Sequence, residues 1–226
     1  QNELHYGSFF DLGDANYDAA IGNPPYVRLR SLPNAEKCQL VNLSEGILHS
    51  RVGEESSEWL PFLLSCVDRL KDNGSMALVL PFDFTYVKYA RNVWAYLGSS
   101  FKKIEVLRSK ERIFEDILQD VILLLAYEKG RSTKEVEYLC YETRSDLIND
   151  KPTVNSKVQI DEIVSGQRAF QKALIPNEVT DFVLHSPYFV RAGHEANFHI
   201  GYVCGNKSYF HPSADAISKY GIPAES

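Results

Sequence analysis

The run Tyr17-Asp18-Ala19-Ala20-Ile21-Gly22 passes directly into Asn23-Pro24-Pro25-Tyr26, and this junction constrains the chain more than any other feature. A short, nearly continuous apolar stretch of this kind reads as a buried parallel strand. The two prolines hold successive φ angles at about −65° and keep the residues before them extended. A stiff loop therefore leaves the carboxyl end of a strand, which is where open α/β sheets hold their ligands. The Asn23 side-chain oxygen and the Pro24 carbonyl can both accept hydrogen bonds from one NH₂ group. The Tyr26 ring can lie flat against the π system that carries that group. A plain Pro-Pro turn with an N-cap asparagine and a packed tyrosine would use the same residues for packing alone.

The flanking sequence sets this junction in an alternation of strands and helices. Residues 5–10 read as a short strand, and residues 28–57 as a long polar connection interrupted by Pro33, Gly46 and Gly53. Connections of that length are usually functional or mobile. A helix opens at Ser56-Ser57, carries Trp59, Phe62, Leu63, Cys66, Val67 and Leu70 on one face, and stops at Asp72-Asn73-Gly74. Residues 75–80 form a buried strand broken by Pro81, residues 86–97 a second amphipathic helix ended by Gly98, and residues 104–107 and 121–127 two more strands. The alternation predicts an α/β, doubly wound sheet with helices on both faces. Beyond Gly130 the texture changes. Residues 134–141 read as a strand, residues 146–157 are polar and rich in turn formers, and mixed sequence follows to Ser226. These features place a domain boundary near Ser165, dividing residues 1–165 from residues 166–226.

Composition narrows the function classes. With 226 residues and 44% apolar content, the chain can bury a real core. A net charge of −6 does not suit a protein that coats nucleic acid indiscriminately, but it leaves room for one basic face. Cys38, Cys66, Cys140 and Cys204 form no Cys-x-x-Cys pair, and read as reduced, mostly buried thiols of a cytoplasmic protein. His194 and His199 match no metal spacing, so they read as structural and no metal is expected. There is no signal peptide and no membrane-spanning run. An initial Gln1 and a single methionine, Met76, suggest an excised piece of a longer protein.

Asn23-Pro24-Pro25-Tyr26 resembles motif IV of the N6-adenine DNA methyltransferases, and the order of the following elements resembles the gamma type of that group. The helix–Gly–strand unit from Trp59 to Leu80 looks like its motifs V and VI. The stretch Ser109-Lys110-Glu111-Arg112-Ile113-Phe114, leading into Asp120-Val121-Ile122-Leu123, looks like motif VIII, with Phe114 at the position that packs on a flipped base. The stretch Ile200-Gly201-Tyr202-Val203-Cys204-Gly205-Asn206-Lys207 is similar to the opening of a target-recognition domain in restriction–modification methylases often fused to a nuclease. The glycine-rich first loop that holds most of the cofactor in that family has no counterpart before Leu4.

The resemblance implies the C-terminal half of a Rossmann-like S-adenosylmethionine-dependent methyltransferase sheet (1–165), followed by the start of a mixed target-recognition domain (166–226). It implies transfer of a methyl group from S-adenosylmethionine to an adenine flipped out of double-stranded DNA. Asn23, Pro24, Pro25 and Tyr26 would be catalytic, with Tyr26 and Phe114 stacking on the base. Arg28, Arg30 and Lys207 would contact DNA, whereas Lys88, Arg91, Lys102, Lys103 and Arg108 read as solvated surface charge. Ser8, Phe9 and Asn23 would touch the cofactor. The implied partners are DNA, the N-terminal remainder of the methyltransferase and a nuclease domain or subunit, with no membrane. Protein-glutamine and RNA methyltransferases use similar loops, and a non-catalytic DNA-binding fragment is a third reading. The sequence after Tyr127 and the insert after Tyr26 favour a polynucleotide substrate.

Overall fold

A computed structural model describes residues 6–11, 16–114, 120–190, 192–197, 217 and 219. Residues 1–177 form one compact unit and 178–226 a second. In the first unit β1 (Tyr17–Gly22) is followed by α1 (Asn34–Leu48), α2 (Trp59–Asp68), β2 (Leu70–Pro81), α3 (Arg91–Ser100) and β3 (Phe101–Ser109). Then come β4 (Val121–Lys129), β5 (Glu135–Tyr141), α4 (Arg144–Ile148), β6 (Val154–Gln159), α5 (Ile160–Val164) and α6 (Ala169–Lys172). The second unit contains α8 (Ala192–Glu195) and all but the first residue of α7 (Asn177–His185), and Phe182 meets Phe189 edge-on there.

The six strands make one mixed sheet in the order β1-β2-β4-β3-β5-β6. β1 runs parallel to β2 and β3 parallel to β5, while β4 is antiparallel to both β2 and β3. The α/β reading holds, with a reversal at β4: the connection 110–120 is too short for a helical crossover, so the chain returns antiparallel. Side chains alternate across the sheet. Met76, Leu78, Ile104, Val106, Ile122, Leu124 and Tyr138 are buried against Trp59 and Leu63 of α2, Trp94 and Leu97 of α3, Ile163 of α5 and Phe170 of α6. Helical cover is concentrated on that face. On the opposite face Val79, Leu123 and Leu125 stay half-exposed, and the short α4 places Leu147 beside Leu107, Leu125 and Leu139.

Several local expectations are corrected. Phe9–Asp11 is a 3-10 turn rather than part of a strand, because the Ser8 carbonyl accepts from the Asp11 N–H and Phe9 stacks on Phe62. Residue 5 lies outside the described residues. β1 is parallel as read but lies at the sheet edge with Ile21 89% exposed, so it is not buried. Residues 34–48 of the polar connection are helix α1, started by Pro33 at its N-cap. Asp72-Asn73-Gly74 does turn the chain, but inside β2: Asn73 takes a φ of 62° and the β1 register jumps from Leu70 to Ser75. Helix α3 starts at Arg91, later than read, and continues through Gly98 to Ser100. Helices α5 and α6 bury Ile163, Ala169 and Phe170 in the core of the first unit.

Cys66 and Cys140 are buried free thiols and Cys38 is an exposed one, while Cys204 lies outside the described residues. No helix among the described residues is long and apolar enough to cross a membrane.

Candidate functional site

Gly22 ends β1, and the loop Asn23–Tyr26 emerges beside β2, whose carboxyl end points the same way. Pro24 is buried, Asn23 and Pro25 are exposed, and Tyr26 is half-buried against the core. The Tyr26 hydroxyl donates toward two acceptors, the Asn23 side-chain oxygen at 3.2 Å and the Val79 carbonyl at 3.1 Å. One phenolic proton thus ties the loop both to itself and to the central sheet. A carboxamide oxygen carries two lone pairs, so Asn23 keeps one free on its exposed side. Burial, reinforced by the nearby Asp83 carboxylate, pushes the Tyr26 phenol up to about 12.

The chain beyond Tyr26 is clamped from the other side. The Val27 carbonyl accepts from the Glu58 N–H, the Leu29 N–H donates to Ser56, and the Arg30 N–H donates to Glu54, with Arg28 bridged to Ser57. Arg28 donates to the Glu55 carbonyl at 2.7 Å, and Arg30 meets both oxygens of the Glu55 carboxylate at 3.2 Å. Both arginines are exposed. Residues 54–58 therefore brace the loop, a role that sequence reading missed because the partners lie far apart in the chain.

Asp83 is the second residue missed. It sits in the 3-10 turn Phe82–Thr85 that follows β2, and its Oδ1 is buried without a hydrogen-bond partner among the described residues. Burial raises its carboxyl above the usual range, while the Arg28 guanidinium and the Phe84 N–H pull it back. The Tyr89 hydroxyl is likewise buried, and its phenol is raised by burial and by Asp83 while Arg28, Ser57 and Trp59 pull it back. A strand punctuated by Pro81, as β1 is by Pro24, was the available signal.

The same end of the sheet carries the start of the β3–β4 connection. Arg108 lies 4.0 Å over the Phe82 ring and 3.7 Å from Asp120, and the Phe82 N–H donates to the Asp120 carbonyl. Phe114 is 36% exposed and lines a small polar recess with Arg108, Ser109 and Asp120. Of the other cations read as solvated, Lys102 pairs with Glu128 and Lys103 with Glu105 and Glu137, while Lys88 is exposed. Arg91 is half-buried, against expectation. Lys207 and His199 lie outside the described residues, and His194 sits in α8.

Of the groups suggested for a cofactor, Asn23 and Ser8 are exposed polar side chains open to a ligand. The Ser8 hydroxyl accepts from the Phe10 N–H, and Phe9 stacks 4.0 Å from Phe62 of α2. Because a Cβ at Gly22 would touch Phe62, this aromatic pair lies against the end of β1. Phe9 and Phe62 thus gather where β1 ends and the Asn23 loop begins.

A model of the Eco57I restriction-modification methylase family matches residues 2–114. The type II methyltransferase M.HincII of Haemophilus influenzae is 26% identical over 133 residues, covering 58% of this chain and 26% of that protein. Among solved structures, the type IIG restriction endonuclease BpuSI superposes with a TM-score of 0.52 at 16% identity, over 93% of this chain and 28% of its own. The type I restriction-modification methyltransferase subunit from Streptococcus thermophilus gives 0.50 at 17% identity, over 73% of this chain and 39% of its own. The chain spans about a quarter of the length of the curated relatives it matches.

Proposed function

Because this chain belongs to the Eco57I restriction-modification methylase family, we propose that it is the target-holding part of a site-specific DNA N6-adenine methyltransferase that uses S-adenosylmethionine. The observation that carries this reading is the exposed Asn23 carboxamide, oriented by Tyr26, on a loop tied to Val79 of the sheet.

An exocyclic adenine amine is a poor nucleophile because its lone pair is delocalised into the ring. The free lone pair of Asn23 Oδ1 and the Pro24 carbonyl accept its two N–H bonds and return electron density to nitrogen. Charge that develops on that nitrogen is stabilised by the same fixed dipoles. Tyr26 and Phe114 cover the faces of the extruded base and offset part of the cost of unstacking it. Arg28, Arg30 and Lys207 neutralise nearby phosphates, with Arg28 and Arg30 exchanging Glu55 for DNA. Ser8, Phe9 and Asn23 line one side of the cofactor site, and S-adenosylmethionine supplies an electrophilic methyl group there when bound.

On this reading residues 1–165 are a partial catalytic domain and residues 166–226 begin a target-recognition domain. The name of BpuSI, a restriction endonuclease, supports a nuclease domain or subunit as a partner, beside duplex DNA and the rest of the methyltransferase.

The test is to incubate the full-length protein, wild type and Asn23→Ala, with methyl-labelled S-adenosylmethionine and either duplex DNA or a release factor. Label recovered as N6-methyladenine, and lost in the variant, is the expected result. Label in the release factor, or in neither substrate, would overturn the proposal.

A further inference from the structure

A cavity of about 180 Å³ lies at the end of β2, lined in part by Thr85, Tyr86, Arg91, Trp94, Gln167 and Arg168. Among the described residues its lining holds two guanidinium groups and no carboxylate. The Thr85 hydroxyl is spent on the Phe82 carbonyl, which fixes this wall to the turn that carries Asp83. Arg91 is half-buried and Arg168 exposed, and neither side chain makes an ion pair or hydrogen bond with another described residue. The neighbouring carboxylate Glu162 is directed to Lys172 instead. Most other cations of this unit are paired: Arg30, Lys37, Lys71, Lys102, Lys103, Lys110 and Lys157 all meet carboxylates.

The position of Arg91 is built rather than incidental. Its guanidinium lies on the backbone of Gly166, where an added Cβ would come within 2.3 Å of Nη2. Gly166 takes a φ of +86°, a conformation that suits glycine. A partly desolvated cation with no partner is costly, and an anion removes the cost. Two planar forks match the oxygens of a phosphate. Tyr86, 50% exposed, offers a flat ring beside them, the combination used by grooves that track a nucleotide strand.

We propose that Arg91 and Arg168 bind one phosphate of a polynucleotide backbone, at the same end of the sheet as Asn23 and Tyr26. The inference rests on the methyltransferase reading, since it takes DNA as the source of the phosphate. Bound there, the strand would be held by the turn after β2 while the target base reaches the loop after β1.

The experiment is a titration of the full-length protein with a labelled duplex oligonucleotide over a range of salt. Arg91→Gln and Arg168→Gln should each weaken binding alike on all sequences and lower the slope of log affinity against log salt, and the double variant should lower it by about one, the share of a single phosphate. Arg91→Lys should restore most of the slope, and Lys102→Gln should leave it unchanged. Arg168 is exposed, so its variant guards against a folding defect at Arg91. An unchanged slope in both Gln variants would overturn the site while leaving the methyltransferase reading standing. Wild-type protein that neither binds nor methylates duplex DNA would overturn both. If inorganic phosphate alone raises the melting temperature through Arg91, and the DNA slope does not respond, the site takes free phosphate and the backbone assignment fails.

Discussion

The Tyr26 hydroxyl reaches the carbonyl of Val79 at 3.1 Å, joining residues 53 positions apart in the chain. The same proton also faces Asn23 Oδ1 at 3.2 Å, so the orientation of the exposed carboxamide depends on a bond to the carboxyl-terminal part of β2. Removing that proton while keeping the ring separates stacking from alignment. Tyr26→Phe should keep substrate binding close to wild type and lower kcat about fivefold, the equivalent of one net hydrogen bond of about 1 kcal/mol. Asn23→Ala should cost about a hundredfold or more in kcat, as when one preorganised group is lost from a developing charge. Steady-state methylation kinetics of the two variants check both values, and equal losses would show that Tyr26 does more than align its neighbour.

The titration of Tyr26 gives a second prediction. Its phenol is raised to about 12, first by burial and then by Asp83. A folded pKa above the unfolded value of about 10 means that the native state holds the proton more tightly. The contribution of this group to stability is therefore complete below pH 10 and is lost as pH rises through 12. Tyr96 and Tyr127 are raised to about 12 as well and act in the same window. Urea midpoints should fall between pH 10 and 12. The phenolate absorbance lost in Tyr26→Phe should belong to a late-titrating step, and Asp83→Asn should move that step to lower pH.

The turn that carries Asp83 is held by stacked aromatic rings. Phe84 stacks on Trp94 with centroids 4.3 Å apart, and the Trp94 indole N–H donates to the Phe84 carbonyl at 3.1 Å. Trp59 meets Phe84 edge-on, and Phe170 joins Trp94 to Tyr138 of β5. Trp94 is fully buried. Trp94→Ala should cost about 3–5 kcal/mol by the loss of buried area and the cavity left behind, measured by denaturant unfolding. A loss below 1 kcal/mol would show that the rings do not hold α3 and α6 to the sheet.

What was legible in the sequence was the local part. The strand-to-proline junction after Gly22 and the apolar stripe of α2 need only neighbours to be recognised; the junction stands where it was read, and the stripe holds from Trp59 to Val67, although the helix ends at Asp68 and Leu70 opens β2. Helix α1 was not legible because it buries little: Leu40 and Ser44 are its only buried residues, so no apolar stripe marks it. The brace from Glu55 to Arg28 and Arg30, and the Val79 anchor of Tyr26, exist only after chain closure and leave no spacing to read. The burial of Arg91 depends on Gly166, an equally long-range fact.

Gly98 shows how such closure inverts a propensity rule, and it gives the last prediction. In a helix interior, glycine to alanine normally gains up to about 1 kcal/mol, and a glycine near a helix end reads as a stop. Helix α3 instead runs through Gly98, whose carbonyl accepts from the Thr133 N–H at 2.8 Å. An added Cβ would lie 2.5 Å from Ile160 Cδ1 and 3.0 Å from the Thr133 carbonyl oxygen. The Ile160 side chain ends there and can turn aside, but the Thr133 backbone is fixed by the bond it makes to Gly98. Gly98→Ala should therefore destabilise by about 1–3 kcal/mol, the range for overpacking a filled site. Ile160→Val removes the Cδ1 atom, so the double variant should recover part of the loss as a favourable coupling in a double-mutant cycle. Urea unfolding of the four proteins tests this, and a stabilised Gly98→Ala variant would show that α3 and α5 do not pack as closely as this contact requires.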